Sequence, residues 1–247
     1  MPAVQPTVTL VRHTPSPDET IASAARLCYA ADTDGLLDQD SANAAKFVAR
    51  LREMGHMSPF EHASFTFYLE GVSRAMTHQL VRHRLASYSQ RSQRYVAHDE
   101  FNFVAPPQLE GATVATATGD VDANEYFAET MALISERYAA LNDALGRTGE
   151  ASNEDARYVL PNACETKIFV TMNARSLLHF FEERLCLRAQ WEIRGVGDMM
   201  LAEVKAVAPT IFRGAGPKCV RLGMCPEGKM TCGRYAEIQT KYAAPEE

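Results

Sequence analysis

The residues best suited to chemistry lie between positions 71 and 98, a stretch with five arginines and three histidines but no lysine or acidic residue. Its central residues are Arg82, His83, Arg84, Ser92 and Arg94. A guanidinium presents paired donors in one plane and binds phosphate or carboxylate bidentately, whereas a lysine supplies only a point charge. The cluster therefore indicates an anion site, and a solvated basic face is the alternative interpretation.

The charge of the whole chain narrows the kind of anion. The 247 residues include 31 acidic residues against 25 Lys and Arg, which gives a net charge of −6. A negative chain is unsuited to coating nucleic acid, and it makes the arginine cluster a local positive site in a repulsive field. We therefore expect a small anionic partner and no nucleic acid.

Local patterning predicts a helix over residues 72–85, followed by a polar loop. Apolar residues recur at helical spacing, and Gln79, Arg82 and His83 would share one side of that helix. Residues 87–94 are too polar for a core and offer hydroxyl, amide and guanidinium donors to phosphate oxygens. A structural ion-pair network is the alternative role for these arginines, with carboxylates supplied from elsewhere in the chain.

The spacing Arg-His-Arg, seven residues, serine, one residue, arginine resembles the signature of flavin-dependent thymidylate synthase. Other segments between about residues 55 and 195 resemble the same family in order, namely residues 56–62, Gln79, 157–161, 173–177, Arg184 and 189–192. The resemblance implies an enzyme that uses FAD, reduced by NADPH, to move a methylene group from methylenetetrahydrofolate to dUMP and to reduce it to the methyl group of dTMP. It also implies a homotetramer whose active sites combine residues from several subunits.

The resemblance further implies which residues form the site. Those implied to contact FAD are Ser58, Arg82, His83, Arg84, Gln90, Asn173, Ala174, Arg175 and His179. Those implied to surround dUMP are Gln79, Leu80, Val81, Arg82, Gln90, Arg91, Ser92, Gln93, Arg94, Arg157 and Arg184, with Ser92 and Arg94 nearest the phosphate. Gln90 stands where some relatives carry Glu, and His179 stands where some carry Asn.

Arg184 is the predicted catalytic residue, because the resemblance puts it beside uracil N3. A guanidinium there would lower the pKa of N3 and push electron density toward C5, a poor nucleophile in the neutral base. From the residues alone, the alternative is a helix-surface arginine paired with Glu182 or Glu183. We interpret Ser92 as a phosphate donor, since its arginine and amide neighbours supply no general base. Flanking arginines should keep His83 neutral, which favours a flavin contact or a structural role over acid–base catalysis.

Two other functions fit parts of the chain. Arg12 and His13 follow a predicted strand and resemble the histidine phosphatases, but Thr14 and Pro15 replace the glycine of that motif. A single-stranded nucleic-acid module would use the arginines together with Tyr88, Tyr95 and Phe101, and the net negative charge opposes it. The third glycine of a dinucleotide-binding GxGxxG motif is missing after Gly195 and Gly197, so no Rossmann domain is expected.

The elements that must position these residues are few strands among long helices. Alternation predicts strands at residues 7–11, 63–69 and around 168–172, and helical spacing predicts helices at 41–54, with Ser41 as the cap, and at 127–145. Asn173 is a predicted N-cap for a helix through Leu185, and a long helix should follow from about Gln190 to Val207. Residues 111–119 read as a loop. We expect a single α+β domain over residues 1–247, with a small twisted, mostly antiparallel sheet packed with long helices.

The remaining features concern the tail and the compartment. A segment from about residue 213 carries Gly, Pro and three of the six cysteines, and no CxxC pair occurs. These cysteines are expected to be free thiols, with no metal bound. The sequence has neither a signal-peptide pattern nor an apolar run of about 20 residues, so we expect a cytoplasmic protein without membrane contact.

Overall fold

The computed structural model describes residues 2–38 and 40–242. Helices and strands follow one another along the chain without a regular strand–helix alternation. The strands are β1 Thr7–His13, β2 Ser64–Ser73, β3 Ser87–Gln90, β4 Thr113–Thr116, β5 Gly119–Asp122 and β6 Glu165–Asn173. The α-helices are α1 Pro17–Leu27, α2 Ser41–Glu53, α3 Arg74–Leu80, α4 Ala123–Ala144, α5 Glu150–Ala156, α6 Ala174–Arg184, α7 Trp191–Val207, α8 Lys218–Leu222 and α9 Tyr235–Tyr242.

Two small sheets are present in the described residues. The larger has the strand order β1-β2-β6-β3, and the smaller is an antiparallel hairpin of β4 and β5 in which Thr113 pairs with Asp122 and Thr116 with Gly119. In β2 the side chains of Phe65, Phe67 and Leu69 are fully buried and alternate with half-buried polar or tyrosyl neighbours, as the sequence predicted. The α+β class with small antiparallel sheets and long helices is confirmed.

The chain divides into two compact units, and each is described by itself. The first unit comprises Met1–Thr7, Leu69–Leu80 and Ser89–Ile168, and the second comprises Val8–Tyr68, Val81–Tyr88 and Phe169–Glu247. Within the described part of the chain, no helix is both long and apolar enough to cross a membrane.

The core of the second unit is built largely from aromatic rings. Phe212 lies edge-on to Phe65, with ring centroids 5.3 Å apart, and to Phe181 at 6.0 Å. Such edge-to-face pairs add about 0.5–1.5 kcal/mol each beyond the burial of their area. Phe180 and Phe181 both come from α6, so this helix is firmly anchored on its inner face.

Helix α6 begins and ends as the sequence predicts. The Asn173 Oδ1 atom accepts a hydrogen bond from the Ser176 backbone N–H at 2.8 Å, which is an N-cap. Leu177, Phe181 and Leu185 have no exposed surface. This cap and this apolar face fix the direction of α6 and therefore the position of Arg184 in its last turn.

The core of the first unit forms around α4. Met131 packs with Phe101 and Phe103, and the Tyr138 hydroxyl donates to the Asn153 Oδ1 atom at 3.2 Å. The C-terminal end of α4 buries a polar side chain, because Leu141 is 42% exposed whereas Asn142 is buried. Asn142 donates to the same Asn153 oxygen at 3.0 Å, so a polar network there replaces apolar contact.

Three boundary predictions are wrong. The helix expected over residues 72–85 is shorter, because β2 continues to Ser73, whose Oγ atom accepts from the Met76 N–H at 3.0 Å, and α3 ends at Leu80. The cap of α2 is Asp40, not Ser41, since the Asp40 carboxylate accepts from two helical N–H groups. The loop expected at residues 111–119 contains most of the β4–β5 hairpin, in which Val114 pairs with Val121.

Candidate functional site

The predicted site residues fall into both units. The first unit contains Gln79, Leu80, Gln90, Arg91, Ser92, Gln93, Arg94 and Arg157. The second unit contains Ser58, Val81, Arg82, His83, Arg84, Asn173, Ala174, Arg175, His179 and Arg184. Residues 87–94 were predicted as loop, but the structure forms β3 at Ser87–Gln90 before the loop begins.

The central contact of the second unit joins the arginine-rich motif to α6. The Arg184 Nε–H donates a hydrogen bond to the His83 Nε2 atom at 2.9 Å. The His83 ring also lies edge-on to Phe180, with centroids 5.0 Å apart, and 6.1 Å from the ring of His179. The motif imidazole therefore holds the guanidinium of the predicted catalytic residue in one orientation.

This geometry requires a neutral His83. A nitrogen that accepts from a guanidinium must carry a lone pair, so the ring proton belongs on Nδ1. Burial, the positive charge of Arg184 and the neighbouring His179 together lower the pKa of His83 from 6.5 to about 4, and burial has the largest effect. At neutral pH the ring is an acceptor toward Arg184.

The backbone of His83 is held as well as its ring. The Tyr88 hydroxyl donates to the His83 carbonyl oxygen at 2.8 Å. Burial raises the pKa of Tyr88 to about 12, so this hydroxyl keeps its proton over the physiological range. Tyr88 was considered from sequence as a base-stacking residue, and the structure instead gives it this structural contact.

The segments that contain His83 and Arg184 also carry three exposed arginines, Arg82, Arg84 and Arg175. Arg82 and Arg84 flank His83. Because α3 ends at Leu80, the prediction that Gln79, Arg82 and His83 share one side of a helix is wrong. Arg175, in the first turn of α6, forms an ion pair with Glu61 at 2.5 Å, and both side chains are about half exposed. Glu61 belongs to the 3₁₀ helix Ser58–His62, whose first residue is exposed.

The first unit places the motif serine in a turn. The Ser92 Oγ atom accepts from the backbone N–H of Arg94 at 3.1 Å, which leaves the hydroxyl proton available as a donor. Upstream, the Gln90 side-chain amide donates to Thr77 Oγ1 at 3.0 Å and to Thr166 Oγ1 at 3.4 Å. The end of β3 is thereby tied to α3 and β6.

Arg94 already has acidic partners. Its guanidinium pairs with Glu150 at 2.5 Å and with Glu154 at 2.8 Å, and all three side chains are about 40% exposed. The ion-pair network considered from sequence is thus present for this arginine, with carboxylates from α5. Arg157, at the end of α5, donates to the Glu154 carbonyl oxygen at 3.2 Å. Exposed pairs of this kind contribute little to stability, so a phosphate can compete for Arg94.

Three other residues predicted to contact dUMP, Leu80, Val81 and Gln93, offer less surface to a ligand. The Leu80 side chain is fully buried, so any substrate contact there must come from its backbone. Val81 is 38% exposed, and Gln93 donates weakly to Cys164 Sγ at 3.8 Å. Phe101, which a stacking interface for nucleic acid would need at the surface, is only 4% exposed.

The fold assembles two groups of residues that were not predicted from the sequence. Arg52, at the end of α2, lines a cavity together with Arg175 and His179 of α6. In the tail, Cys219, Cys225 and Cys232 line a second cavity with Cys186. All six cysteines are free, and the described residues contain no group of three His, Cys, Asp or Glu side chains that could hold a metal ion. No local sequence signal reports either group, because each depends on long-range packing.

The fold and these contacts define an α+β protein in which the arginine-rich segment contains a neutral histidine that accepts a hydrogen bond from a guanidinium of α6. The sequence matches the family described as Thymidylate synthase complementing protein over residues 9–210. The chain belongs to the flavin-dependent thymidylate synthase family, which confirms the resemblance drawn from the arginine motif.

Three relatives show how much of the chain the sequence similarity to this family covers. The chain is 49% identical over 245 residues to the flavin-dependent thymidylate synthase of Nitratidesulfovibrio vulgaris, in an alignment that covers 95% of this chain and 97% of the relative. The chain is 46% identical over 243 residues to the enzyme of the same name from Clostridium tetani, which covers 95% of this chain and 96% of the relative. It is 51% identical over 234 residues to that from Geobacter sulfurreducens, which covers 94% of this chain and 96% of the relative. The sequence similarity therefore extends over almost the whole chain.

Proposed function

We propose that this protein catalyses the reductive methylation of dUMP to dTMP, with methylenetetrahydrofolate as carbon donor and NADPH as reductant through FAD. It acts as a single enzyme domain over residues 1–247, in a cytoplasmic homotetramer with shared active sites. The proposal rests on the family membership and on the 2.9 Å hydrogen bond from Arg184 to His83, which joins the predicted catalytic residue to the arginine motif.

The donor set of the second unit fits FAD. The exposed guanidinia of Arg82, Arg84 and Arg175 can donate to a diphosphate, which they match bidentately. The neutral imidazole of His83 and the exposed ring of His179 offer aromatic and polar contacts to a heteroaromatic ring. In the proposed complex these residues hold FAD together with Ser58, Gln90, Asn173 and Ala174. When bound, FAD carries the reducing equivalents from NADPH that turn the transferred methylene into a methyl group.

The first unit supplies donors for the nucleotide phosphate. Ser92 has its hydroxyl proton available, and Arg91 is exposed beside it. Arg94 exchanges at least one of its glutamate partners for a phosphate oxygen, and a dianionic phosphate is the stronger partner for a fork of N–H donors. Gln79, Gln93 and Arg157 complete the proposed dUMP contacts, along with the backbones of Leu80 and Val81.

Arg184 acts on the base. Its guanidinium, placed against the N3 edge of uracil, favours the form of the base that has lost the N3 proton and so lowers the pKa of N3. The negative charge is delocalised toward C5, which becomes a better nucleophile for the methylene carbon. His83 contributes by fixing the guanidinium through the Nε–H, which leaves both terminal nitrogens to face the base.

The test is anaerobic turnover of dUMP with NADPH and methylenetetrahydrofolate. We compare the wild type with Arg184→Ala and with the matched control Arg188→Ala, four residues further along the chain in the turn after α6, whose guanidinium pairs with Glu227. Loss of a fixed electrostatic donor at a reacting base costs on the order of a hundredfold in kcat. We expect that loss for Arg184→Ala and near wild-type turnover for Arg188→Ala.

Two results would contradict the proposal in different ways. If Arg184→Ala forms dTMP as fast as the wild type, the role given to Arg184 is wrong. If the wild type binds FAD and dUMP but forms no dTMP, the reaction assignment itself fails.

A further inference from the structure

Four of the six cysteines line one cavity in the second unit, beside the end of α6. The cavity has a volume of about 300 Å³, and the cysteines that line it are Cys186, just after α6, and Cys219, Cys225 and Cys232 of the tail. Three of these residues are partly buried, whereas Cys232 is exposed. Long-range packing therefore gathers thiols from two separate segments of the chain around one space.

Ion pairs hold the tail against the end of α6. Lys218, which directly precedes Cys219, pairs with Glu183, and Arg221 pairs with Glu182 at 2.5 Å. Lys218 and Arg221 both belong to α8, and the two glutamates belong to the last turn of α6. Each pair contributes little to stability by itself, but together they keep α8 alongside the segment that leads into Cys186.

Cys219 has Cys186 as its foremost partner among these thiols. The pKa of Cys219 is raised by burial and then by the neighbouring thiols, of which Cys186 has the largest effect, ahead of Cys225 and Cys232. Electrostatic interactions weaken with distance, so this order agrees with the ion pairs that bring α8 to the end of α6. The Gln239 side chain of α9 donates to the Cys219 carbonyl oxygen at 2.8 Å, which holds the backbone of Cys219 in place.

We propose that Cys186 and Cys219 are a reversible redox pair, which forms a disulfide between the tail and the end of α6. The oxidant is a small-molecule disulfide, for which oxidised glutathione is the probe. One protein thiol loses its proton and attacks a glutathione sulfur, which forms a mixed disulfide and releases the first glutathione thiolate. The second protein thiol loses its proton, attacks the protein sulfur of the mixed disulfide and releases the second glutathione thiolate. The protein thereby gives up two protons and two electrons, and oxidised glutathione becomes two molecules of reduced glutathione.

The surroundings of Cys219 favour the oxidised form of the pair. Burial disfavours the thiolate of Cys219, so the reduced form gains little stability from ionisation at neutral pH. A disulfide between these two positions also closes a loop that contains the whole of α7. Closing a long loop removes conformational entropy from the unfolded chain and stabilises the folded one.

The first readout is the state of the thiols. The full-length protein is equilibrated in buffers of reduced and oxidised glutathione and quenched with acid, and its free thiols are alkylated and counted by mass spectrometry. The variants are Cys186→Ser, Cys219→Ser and the control Cys28→Ser, whose exposed cysteine does not line the cavity. We expect the wild type and the control to lose two thiols together, with Cys186 joined to Cys219 in peptide maps. Each of the other two variants should lack this cross-link and carry glutathione on the remaining cysteine of the pair.

The second readout is Tm, which distinguishes a tie between two segments from oxidation that leaves the fold unchanged. The cross-linked wild type should melt about 5–15 °C above its reduced form, as for a disulfide that closes a long loop, and Cys219→Ser should show no such increase. Both readouts are independent of turnover, so they hold whether or not the chain forms dTMP.

Four results would overturn the proposal. One is that all thiols stay free across the range of glutathione buffers, and another is a cross-link that excludes Cys186 or Cys219. A cross-link between the two that leaves Tm unchanged would also overturn it. The fourth is one zinc ion per chain released when these thiols are titrated, because the cluster would then be a metal site.

Discussion

The hydrogen bond between Arg184 and His83 can be removed by changing His83 alone, which leaves the predicted catalytic residue Arg184 in place. His83→Ala deletes the Nε2 acceptor, and His83→Gln supplies a carbonyl oxygen in a side chain that cannot be protonated. The pair is therefore a matched test of whether an acceptor at this position orients the guanidinium.

The structure sets the size of the expected effect. A hydrogen bond to a charged group contributes about 1.5–3 kcal/mol, and about 1.4 kcal/mol corresponds to a factor of ten. If the orientation of Arg184 is used fully in the transition state, His83→Ala lowers kcat/KM by about 10- to 150-fold. His83→Gln should recover most of that loss, because its acceptor can meet the same Nε–H.

The assay is anaerobic dTMP formation at saturating FAD, with bound flavin and the Kd for dUMP measured for each variant. These two measurements separate lost orientation from a lost flavin contact. Wild-type kcat/KM in His83→Ala, at full flavin occupancy, would refute the argument. So would a His83→Gln variant as impaired as His83→Ala.

The same residue predicts a dependence of stability on pH. The pKa of His83 is about 4 in the folded protein, against 6.5 for the unperturbed side chain. As the pH falls below about 6.5 the unfolded chain takes up the proton first, so His83 costs stability progressively until the pH passes the folded pKa. Tm should therefore fall less between pH 7 and pH 5 in His83→Gln than in the wild type, and an equal fall in both would contradict the neutral state.

Three further predictions concern other contacts. Glu154→Gln should tighten dUMP binding by up to about fivefold, because it frees Arg94 from an exposed ion pair, and weaker binding by titration would show that the glutamate positions the arginine instead. Cys164 should be the slowest thiol to react with an aromatic disulfide at pH 8, since it is buried and its pKa is raised to about 11, and early labelling detected by peptide mapping would contradict this. Gly71→Ala should lower the free energy of unfolding by about 1–3 kcal/mol or more, because φ at this position is +66° and a Cβ atom would lie 2.1 Å from the Gln5 carbonyl oxygen. An unchanged denaturation midpoint would exclude that strain.

Structure was predictable from the sequence where a local pattern determines it. The alternation in β2 and the Asn173 cap of α6 depend on neighbours a few residues away, so the strand and the start of the helix were predictable. The catalytic candidate Arg184 needed the family resemblance, because an arginine beside glutamates on a helix is otherwise typical of a surface pair.

Long-range contacts explain what the sequence could not provide. The helix expected through Leu85 ends at Leu80, so Arg82 and His83 follow it in a turn. Residue spacing alone could not reveal the contact between His83 and Arg184, which are 101 positions apart. Arg52 was missed for the same reason, since its partner carbonyl lies 161 positions away.

The most direct test of the account is a single turnover in which the flavin is the only reductant. The protein is reduced anaerobically with dithionite, freed of excess reductant, and mixed with dUMP and methylenetetrahydrofolate while flavin absorbance and dTMP are followed together. The account predicts one dTMP for each flavin oxidised, with the folate recovered as tetrahydrofolate. Formation of dTMP with the flavin still reduced and the folate converted to dihydrofolate would contradict it.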